Sequence, residues 1–309
     1  MADALDRHAA ETIQAGSKSF ATAARLFDPK TRRSVMMLYT WCRHCDDVID
    51  DQHLGMRQMT AGAPDTSERR MARLRRKTQL AYAGEPMQDA PFAAFQQVAL
   101  QHGLPERYPL AHLEGFAMDV QGRRYDTIDD TLSYCYHVAG VVGIMMAWIM
   151  GVKDKAILDR ACDLGLAFQL TNIARDIVDD AEIGRCYLPR TWLIEAGIPP
   201  EEITARQHRQ ALARVAVRLI NLAEPYYQSA QGGLGALPPR SAWAIATAHG
   251  VYRKIGIHVM AQGARAWDQR VSTSKSDKLR LLAKGLGQTI GSRWQTPTPR
   301  AEHLWQRPD

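Results

Sequence analysis

The chain has 309 residues, 46% of them hydrophobic, and its 39 lysines and arginines outnumber its 33 aspartates and glutamates. It can therefore bury a large core, arranged as one large domain or two small ones. The net charge of +6 comes without a recognisable nucleic-acid-binding module, so no nucleic-acid partner is expected. The basic balance favours contact with anionic substrates or with an anionic lipid surface.

The predicted elements are all helices, because Ala, Leu, Arg and Met dominate and no block of strand-like alternation appears. In chain order they cover residues 4–13, 19–27, 30–53, 67–82, 91–102, 106–121, 131–151, 153–181, 200–229, 239–265 and 275–290. The Gly- and Pro-rich breaks between them are too short for an interdomain linker. The sequence thus predicts one all-α domain over residues 1–292, followed by a loosely ordered tail over residues 293–309.

One apolar run, from Val138 to Val152, has 15 residues, fewer than the roughly 20 that span a bilayer. We interpret it as a buried core helix that could also wall an apolar cavity. The five cysteines are odd in number and scattered, and no signal-peptide pattern opens the chain, so a cytoplasmic location is expected. Cys42 and Cys45 form a CxxC without a second pair, which favours helix packing over a zinc or redox site.

Two aspartate clusters carry the strongest chemical signal. The first is CDDVIDD, with Asp46, Asp47, Asp50 and Asp51, and the second is RDIVDD, with Asp176, Asp179 and Asp180. Helical spacing stacks carboxylates at i and i+4 on one face, where like charges repel unless a cation binds them. Asn172 lies four residues before Asp176, and its amide oxygen, together with the carboxylates, suits Mg²⁺ or Mn²⁺.

A single acidic helix face is usually a solvated surface, and each cluster taken alone has that interpretation. Each cluster, however, lies in an otherwise apolar helix and has an arginine beside it, Arg43 in the first and Arg175 in the second. The spacing D-x-D-x-D-G of a calcium-binding EF-hand loop is absent. Two opposed acidic faces across a cavity are therefore the better hypothesis.

The chain resembles the squalene/phytoene synthase family, and the resemblance is closest to the bacterial phytoene synthases of that family. It rests on five ordered blocks that together span most of the chain, namely SKSFATAARLF (Ser17 to Phe27), CRHCDDVIDD (Cys42 to Asp51), YCYHVAGVVG (Tyr134 to Gly143), QLTNIARDIVDDAEIGRCYLP (Gln169 to Pro189) and VYRKIG (Val251 to Gly256). Asp179 stands where the family often has Glu, and Cys186 interrupts a Gly-Arg-aliphatic-Tyr-Leu-Pro run. Neither departure removes an expected ligand.

This resemblance implies an isoprenoid synthase fold with a central cavity. It also implies head-to-head condensation of two geranylgeranyl diphosphates, through prephytoene diphosphate, to phytoene. By the same resemblance, Asp46, Asp50, Asn172, Asp176 and Asp180 are expected to hold Mg²⁺ or Mn²⁺, and the four aspartates and Tyr252 are expected to be catalytic. The residues expected to bind substrate are Ser17, Ser19, Arg43, Tyr134, Gln169, Asn172, Arg175 and Arg270.

Three alternatives remain open from the sequence. One is a dehydrosqualene or squalene synthase that uses the shorter farnesyl diphosphate, and another is a head-to-tail prenyltransferase, whose second cluster normally repeats DDxxD. A third is a non-catalytic assembly factor, which would be expected to lose carboxylates that this chain keeps. Ala24 lies one turn after Phe20, and we expect it to face the substrate channel and to set the usable chain length. A hydrocarbon product would also favour a peripheral contact at the inner face of the membrane.

Overall fold

The structure is a computed structural model that describes residues 5, 9–13, 18–50, 52–53, 56–57 and 66–308. Within these residues a helical turn over 9–13 precedes the longer elements. The helices are α1 (Lys18–Ala24), α2 (Pro29–Asp50), α3 (Ser67–Tyr82), α4 (Ala90–His102), α5 (Arg107–Val120), α6 (Ile128–Cys135), α7 (Val141–Ile149), α8 (Lys155–Glu182), α9 (Arg190–Glu195), α10 (Arg209–Gln231), α11 (Pro239–Gln262) and α12 (Lys275–Gly291). The all-α prediction is confirmed.

The only described strands are β1 (Gln52–His53) and β2 (Met56–Arg57), which pair antiparallel as a short ribbon after α2. The helix predicted over residues 30–53 therefore ends at Asp50. The helix predicted over residues 200–229 begins only at Arg209, because the prolines at 199 and 200 open a 3₁₀ turn, Pro200–Glu202, instead. The six-residue helix α9 was not predicted, and it starts directly after Pro189.

Helix α8 is the central element, and it packs against α7, α10 and α11. Its contact with α7 is unusually close, because a β-carbon on Gly143 would lie 2.3 Å from the carbonyl oxygen of Ala161. A β-carbon on Gly165 would lie 2.3 Å from the carbonyl oxygen of Ala139. Glycine is therefore required on both helices for this approach, which brings the apolar run of α7 against the helix that carries the second aspartate cluster.

Helices α6 and α7 are joined by a π-helical turn, Tyr136–Gly140, into one continuous helix, Ile128–Ile149. This helix has 22 residues, so by length and composition alone it could cross a membrane, although the apolar run within it is shorter. Of its most apolar window, 61% is buried inside the protein. Its side chains Val141, Ile144 and Met145 are fully buried, which agrees with the predicted core helix.

The tail after α12 has no regular secondary structure apart from turns, but its side chains fix it to the domain. Arg300 and Arg307 pair with Asp163 and Asp159 on α8. Leu304 is buried among the core residues. The described part of residues 293–309 is thus held against the first half of α8, where looser order was expected.

Candidate active site

A large cavity of about 1070 Å³ runs along one face of α8. The α8 residues that line it recur every three or four positions, as one helix face does. They are Ile157, Arg160, Ala161, Leu164, Gly165, Phe168, Gln169, Asn172 and Arg175. The cavity is apolar at the α8 N-terminal side, where α7 contributes residues such as Val142 and Met146, and polar at the other end.

The polar end gathers many of the residues that the sequence predicts for the site. The cavity is lined there by Arg43, Gln169, Asn172, Arg175, Tyr252 and Arg270. Ser17 and the side chain of Ser19 lie outside the described residues, so their predicted roles stay predictions. Ala24 is buried in the core and is not among the residues lining the cavity, so its expected position along the channel is wrong.

Arg43 organises the first aspartate cluster on α2. It donates from Nη2 to Asp47 Oδ1 at 2.7 Å and lies 3.1 Å, Nη1 to Oδ2, from Asp46. The side chain of Asp46 is 40% exposed, yet the surrounding protein desolvates its carboxylate. Desolvation there, reinforced by Asp50 and Asp47 and opposed by Arg43, raises the pKa of Asp46 to about 6.

Arg175 and Arg270 bind the second cluster on α8. Arg175 donates from Nε to Asp176 Oδ1 at 2.8 Å and from Nη2 to Oδ2, and Arg270 Nη2 lies 3.1 Å from the same Oδ2. Asp180 has its pKa raised to about 7, first by desolvation and then by the neighbouring charge of Asp176. Asp179 is exposed to solvent and does not share this environment.

Arg185, in the loop after α8, connects the two clusters, and the sequence analysis did not single it out. Its guanidinium forms a bidentate pair with Asp50 on α2, with Nη1 3.2 Å from Oδ2. The same charge lowers the pKa of both Asp46 and Asp180 against their desolvation. One cation therefore acts on carboxylates of both helices and brings the two acidic faces together at one site.

A second missed residue is Asp119 on α5. Its carboxylate accepts hydrogen bonds from the hydroxyls of Tyr134, at 3.2 Å, and Tyr187, at 3.1 Å, and the two tyrosine rings stack at 4.4 Å. Burial raises the pKa of Asp119 to about 6. Tyr134 is thus held in an aromatic cluster beside the acidic site and does not line the cavity itself. The Tyr187 of the GRCYLP run was the sequence signal that could have revealed this cluster.

The aspartates of the two clusters and Asn172 supply the oxygen donors at this end of the site. No three His, Cys, Asp or Glu side chains converge on one point in the part of the chain that the structure describes. Asp46, Asp50 and Asp176 are instead paired with arginines. The amide oxygen of Asn172 is buried without a hydrogen-bond partner, while its nitrogen donates to Gln169 Oε1 at 3.3 Å. A buried amide oxygen without a partner, on the same helix face as Asp176 and Asp180, is a hard oxygen ligand of the kind that divalent cations such as Mg²⁺ take.

Comparison with known proteins gives the family. A sequence model of the family described as Squalene/phytoene synthase matches residues 13–277. The chain belongs to the squalene/phytoene synthase family. It is 63% identical over 301 residues, 97% of each chain, to a phytoene synthase of Pseudescherichia vulneris. It is 62% identical over 304 residues, 98% of each chain, to a 15-cis-phytoene synthase of Pantoea ananas.

Solved structures agree with the fold. A dehydrosqualene synthase crystallised in complex with a ligand superposes with a TM-score of 0.83 at 25% identity, covering 94% of this chain and 98% of that one. A squalene synthase of Alicyclobacillus acidocaldarius superposes with a TM-score of 0.68 at 23% identity, covering 84% of this chain and 93% of that one. The predicted isoprenoid synthase fold, with helices around a central cavity, is therefore confirmed.

Proposed function

We propose that this protein is a 15-cis-phytoene synthase of carotenoid biosynthesis. It joins two geranylgeranyl diphosphates head to head, through the cyclopropylcarbinyl intermediate prephytoene diphosphate, and releases diphosphate. The observation that carries the proposal is one cavity with an apolar body and an arginine-lined end, whose arginines pair with the two aspartate clusters. The chain is 63% and 62% identical, over nearly its full length, to two enzymes named phytoene synthase, and this identity supports geranylgeranyl diphosphate as the substrate.

The polar end is suited to ionising an allylic diphosphate. A diphosphate leaves only when its charge is neutralised, and preorganised cationic donors perform this task most effectively. Arg43, Arg175 and Arg270 supply such donors at the cavity wall. Proton transfer is not required of them, because their guanidinium groups stay charged at every working pH.

The same end is suited to binding divalent cations. We assign Asp46, Asp50, Asn172, Asp176 and Asp180 as the ligands of Mg²⁺ or Mn²⁺. When bound, the ions supply Lewis-acid neutralisation of the leaving diphosphate. Activity is expected to vanish in EDTA and to return with either metal, and full turnover in the chelator would contradict the assignment.

The apolar body is suited to protecting the carbocation from water. Its walls combine aliphatic residues of α7 and α8 with two aromatic rings, Phe168 and Tyr252, which stack at 4.1 Å between centroids. Aromatic faces attract cations, and a closed apolar wall keeps water away from a reactive intermediate. Tyr252 is therefore proposed to act at the reacting carbons, beside the arginine-rich end.

The size of the cavity favours large substrates. Its volume of about 1070 Å³ exceeds the roughly 300–1,000 Å³ that is usual for a single small-molecule site. The dehydrosqualene and squalene synthase alternatives would use shorter chains, and the likeness to those structures, at 25% identity or less, supports the fold rather than the substrate.

The experiment that tests the proposal compares two substrates in one assay. Purified protein is incubated with Mg²⁺ and either geranylgeranyl or farnesyl diphosphate, and the extracted hydrocarbons are separated by chain length. The proposal expects C40 phytoene from the first substrate as the preferred reaction. Efficient C30 product with little C40 product would favour the shorter-chain alternative, and no product from either would favour the non-catalytic one.

A further inference from the structure

Helix α12 carries an unusual apolar face toward solvent. Leu279, Leu286 and Ile290 are 71%, 43% and 52% exposed, and Trp294, one turn further on, is 80% exposed. The spacings of seven and four residues place Leu279, Leu286 and Ile290 on one side of the helix, with the exposed Ala283 between the first two, and Trp294 lies in the turn that follows the helix. These five residues are called the α12 stripe. A continuous exposed apolar surface of this kind marks an interaction site more often than scattered exposed leucines do.

The opposite face of α12 is already used. It packs against α11, where a β-carbon on Gly285 would lie 2.8 Å from Thr247 Oγ1. The indole nitrogen of Trp243 donates to the carbonyl oxygen of Leu282 at 2.9 Å. The helix is therefore fixed in its rotation, and the α12 stripe cannot turn inward to complete the core.

The charges around the α12 stripe are mainly positive. Lys275, Arg280 and Lys284 are exposed on the same helix. Asp277 is the helix's single acidic residue, and it is engaged in a capping box with Ser274 at the N-terminus. Exposed Leu, Ile and Trp flanked by Lys and Arg are the pattern of a helix that lies in the interface of a bilayer.

The other basic helix, α3, lacks this combination. It bears exposed arginines at positions such as Arg69 and Arg76, but its large apolar side chains Met71 and Leu74 are buried. A purely electrostatic surface attracts anions without inserting into lipid. Charge and exposed apolar area coincide on α12, which favours this helix as the lipid-facing element.

The α12 stripe also lies beside the cavity. The segment that leads into α12, with Val271, Ser272 and Thr273, lines the cavity wall, and so does Lys278 in the first turn of the helix. A lipid surface bound to α12 would therefore contact the protein next to its cavity. If the proposed function holds, the product is a hydrocarbon that needs such an apolar acceptor.

We propose that the α12 stripe docks the protein onto a bilayer that contains anionic lipid, with Leu279, Leu286, Ile290 and Trp294 in the interfacial layer and the basic side chains on the headgroups. The α12 stripe would bind lipid whatever reaction the cavity carries out, and only its role in product release rests on the proposed function. Binding can be measured without any substrate.

Flotation of the full-length protein with unilamellar vesicles tests the proposal. The wild type is expected to float with vesicles of phosphatidylcholine and phosphatidylglycerol at low salt, and much less with phosphatidylcholine alone. The double variant Leu279→Gln/Trp294→Gln should lose most of this binding. Arg280→Gln/Lys284→Gln should weaken it by roughly tenfold or more, since each basic residue near an anionic surface contributes about one kilocalorie per mole.

Matched variants control for unspecific effects. Leu100→Gln removes an exposed leucine on α4, and Arg69→Gln/Arg76→Gln removes two exposed charges on α3; both should float as the wild type does.

Equal flotation of wild type and Leu279→Gln/Trp294→Gln would overturn the proposal. So would light scattering that shows a dimer abolished by those two substitutions without vesicle binding, because the stripe would then serve a second copy of the chain. Phytoene synthesis in detergent is assayed separately, so failure of docking and failure of the proposed function are distinguishable.

Discussion

Arg300 in the C-terminal tail forms a two-point pair with Asp163 on α8. Its Nε lies 2.8 Å from Oδ2 and its Nη2 lies 2.8 Å from Oδ1, and the Asp163 side chain has no exposed surface. Ser229 donates a third hydrogen bond to the same carboxylate at 2.6 Å. A buried carboxylate with these partners is satisfied, and it fixes the tail against the cavity-forming helices.

Removing Arg300 should therefore destabilise the domain. Arg300→Met leaves the Asp163 charge buried without its partner, and breaking such a pair costs roughly 3 kcal/mol or more. Urea unfolding is the measurement. The double variant Asp163→Asn/Arg300→Met should lose less than the sum of the two single changes, because no uncompensated charge remains. Strictly additive losses would show that the two groups are not coupled.

A pH effect on stability is expected from His112. Burial lowers the pKa of His112 to about 4, and its Nδ1 donates to the carbonyl oxygen of His137 at 3.0 Å. As the pH falls, the unfolded chain, with a histidine pKa of about 6.5, binds a proton before the folded chain does. The contribution of neutral His112 to the free energy of unfolding is therefore complete above pH 6.5 and is lost as the pH falls toward 4. The loss is at most about 3 kcal/mol.

Comparison of wild type with His112→Phe at each pH isolates this effect. The carboxyls of Asp46, Asp119 and Asp180 have raised pKa values, so their protonation stabilises the folded protein as the pH falls, which is the opposite of the His112 effect. These three groups are present in both proteins, and their effect cancels in the comparison. The free energy of unfolding of His112→Phe should improve relative to wild type between pH 7 and pH 4. A difference that stays constant over this range would contradict the prediction.

Arg160 is expected to limit the chain length of the substrate. It lines the apolar end of the cavity and donates to the carbonyl oxygens of Ser229, at 2.7 Å, and Thr298. From Asn172 back to Arg160 the α8 axis advances about 18 Å. An extended prenyl chain advances roughly 5 Å per isoprene unit, so four units reach about this depth.

Arg160→Ala should therefore admit a prenyl diphosphate one isoprene unit longer than geranylgeranyl diphosphate. The ratio of kcat/KM for this longer substrate to kcat/KM for geranylgeranyl diphosphate should be about tenfold higher in the variant than in the wild type. An effect of this size is expected when a pocket accommodates a few additional methylene groups. Arg300→Met is the control, because it loosens the same tail without lining the cavity. An equal shift in both variants would assign the effect to the tail rather than to Arg160.

Local patterns predicted much of the site, and long-range contacts account for what was missed. The i and i+4 spacing of Asp46 with Asp50 and of Asp176 with Asp180 is a property of each helix, and it can be read without tertiary structure. The Arg185–Asp50 pair joins residues 135 positions apart, and no helical period reveals it. Ala24 was misplaced for a related reason, because spacing gives a face of a helix but not the neighbour that the face meets.

The tail illustrates the same limit. Its prolines and lack of periodicity correctly indicate irregular backbone. Its attachment depends on Asp163 and Asp159, whose availability follows from how α8 packs against α10. Sequence composition describes a segment's own propensity, whereas docking depends on a partner surface that only the fold creates.

We expect Arg185 to be needed to hold the two acidic helix faces in position relative to each other. Arg185→Gln removes the cation that pairs with Asp50, and we expect kcat/KM to fall on the order of 100-fold, as for loss of one preorganised electrostatic group. The melting temperature, measured alongside, should fall less than that of Arg300→Met, because the Arg185–Asp50 pair is more exposed than the Arg300–Asp163 pair. Arg190→Gln, at the exposed start of α9, should keep wild-type turnover. A fully active Arg185→Gln enzyme would contradict this role.

The most direct test of the account is the turnover of geranylgeranyl diphosphate, with saturating Mg²⁺, by Asp46→Asn and Asp176→Asn. Each change removes one charge with almost no change in size, from opposite acidic faces. If both faces hold the cations that ionise the diphosphate, each variant should lose activity on the order of 1,000-fold while remaining folded. Glu182→Gln, an exposed acid at the end of α8, should be unaffected. Near-wild-type turnover by either aspartate variant would return that cluster to an ordinary solvated helix face.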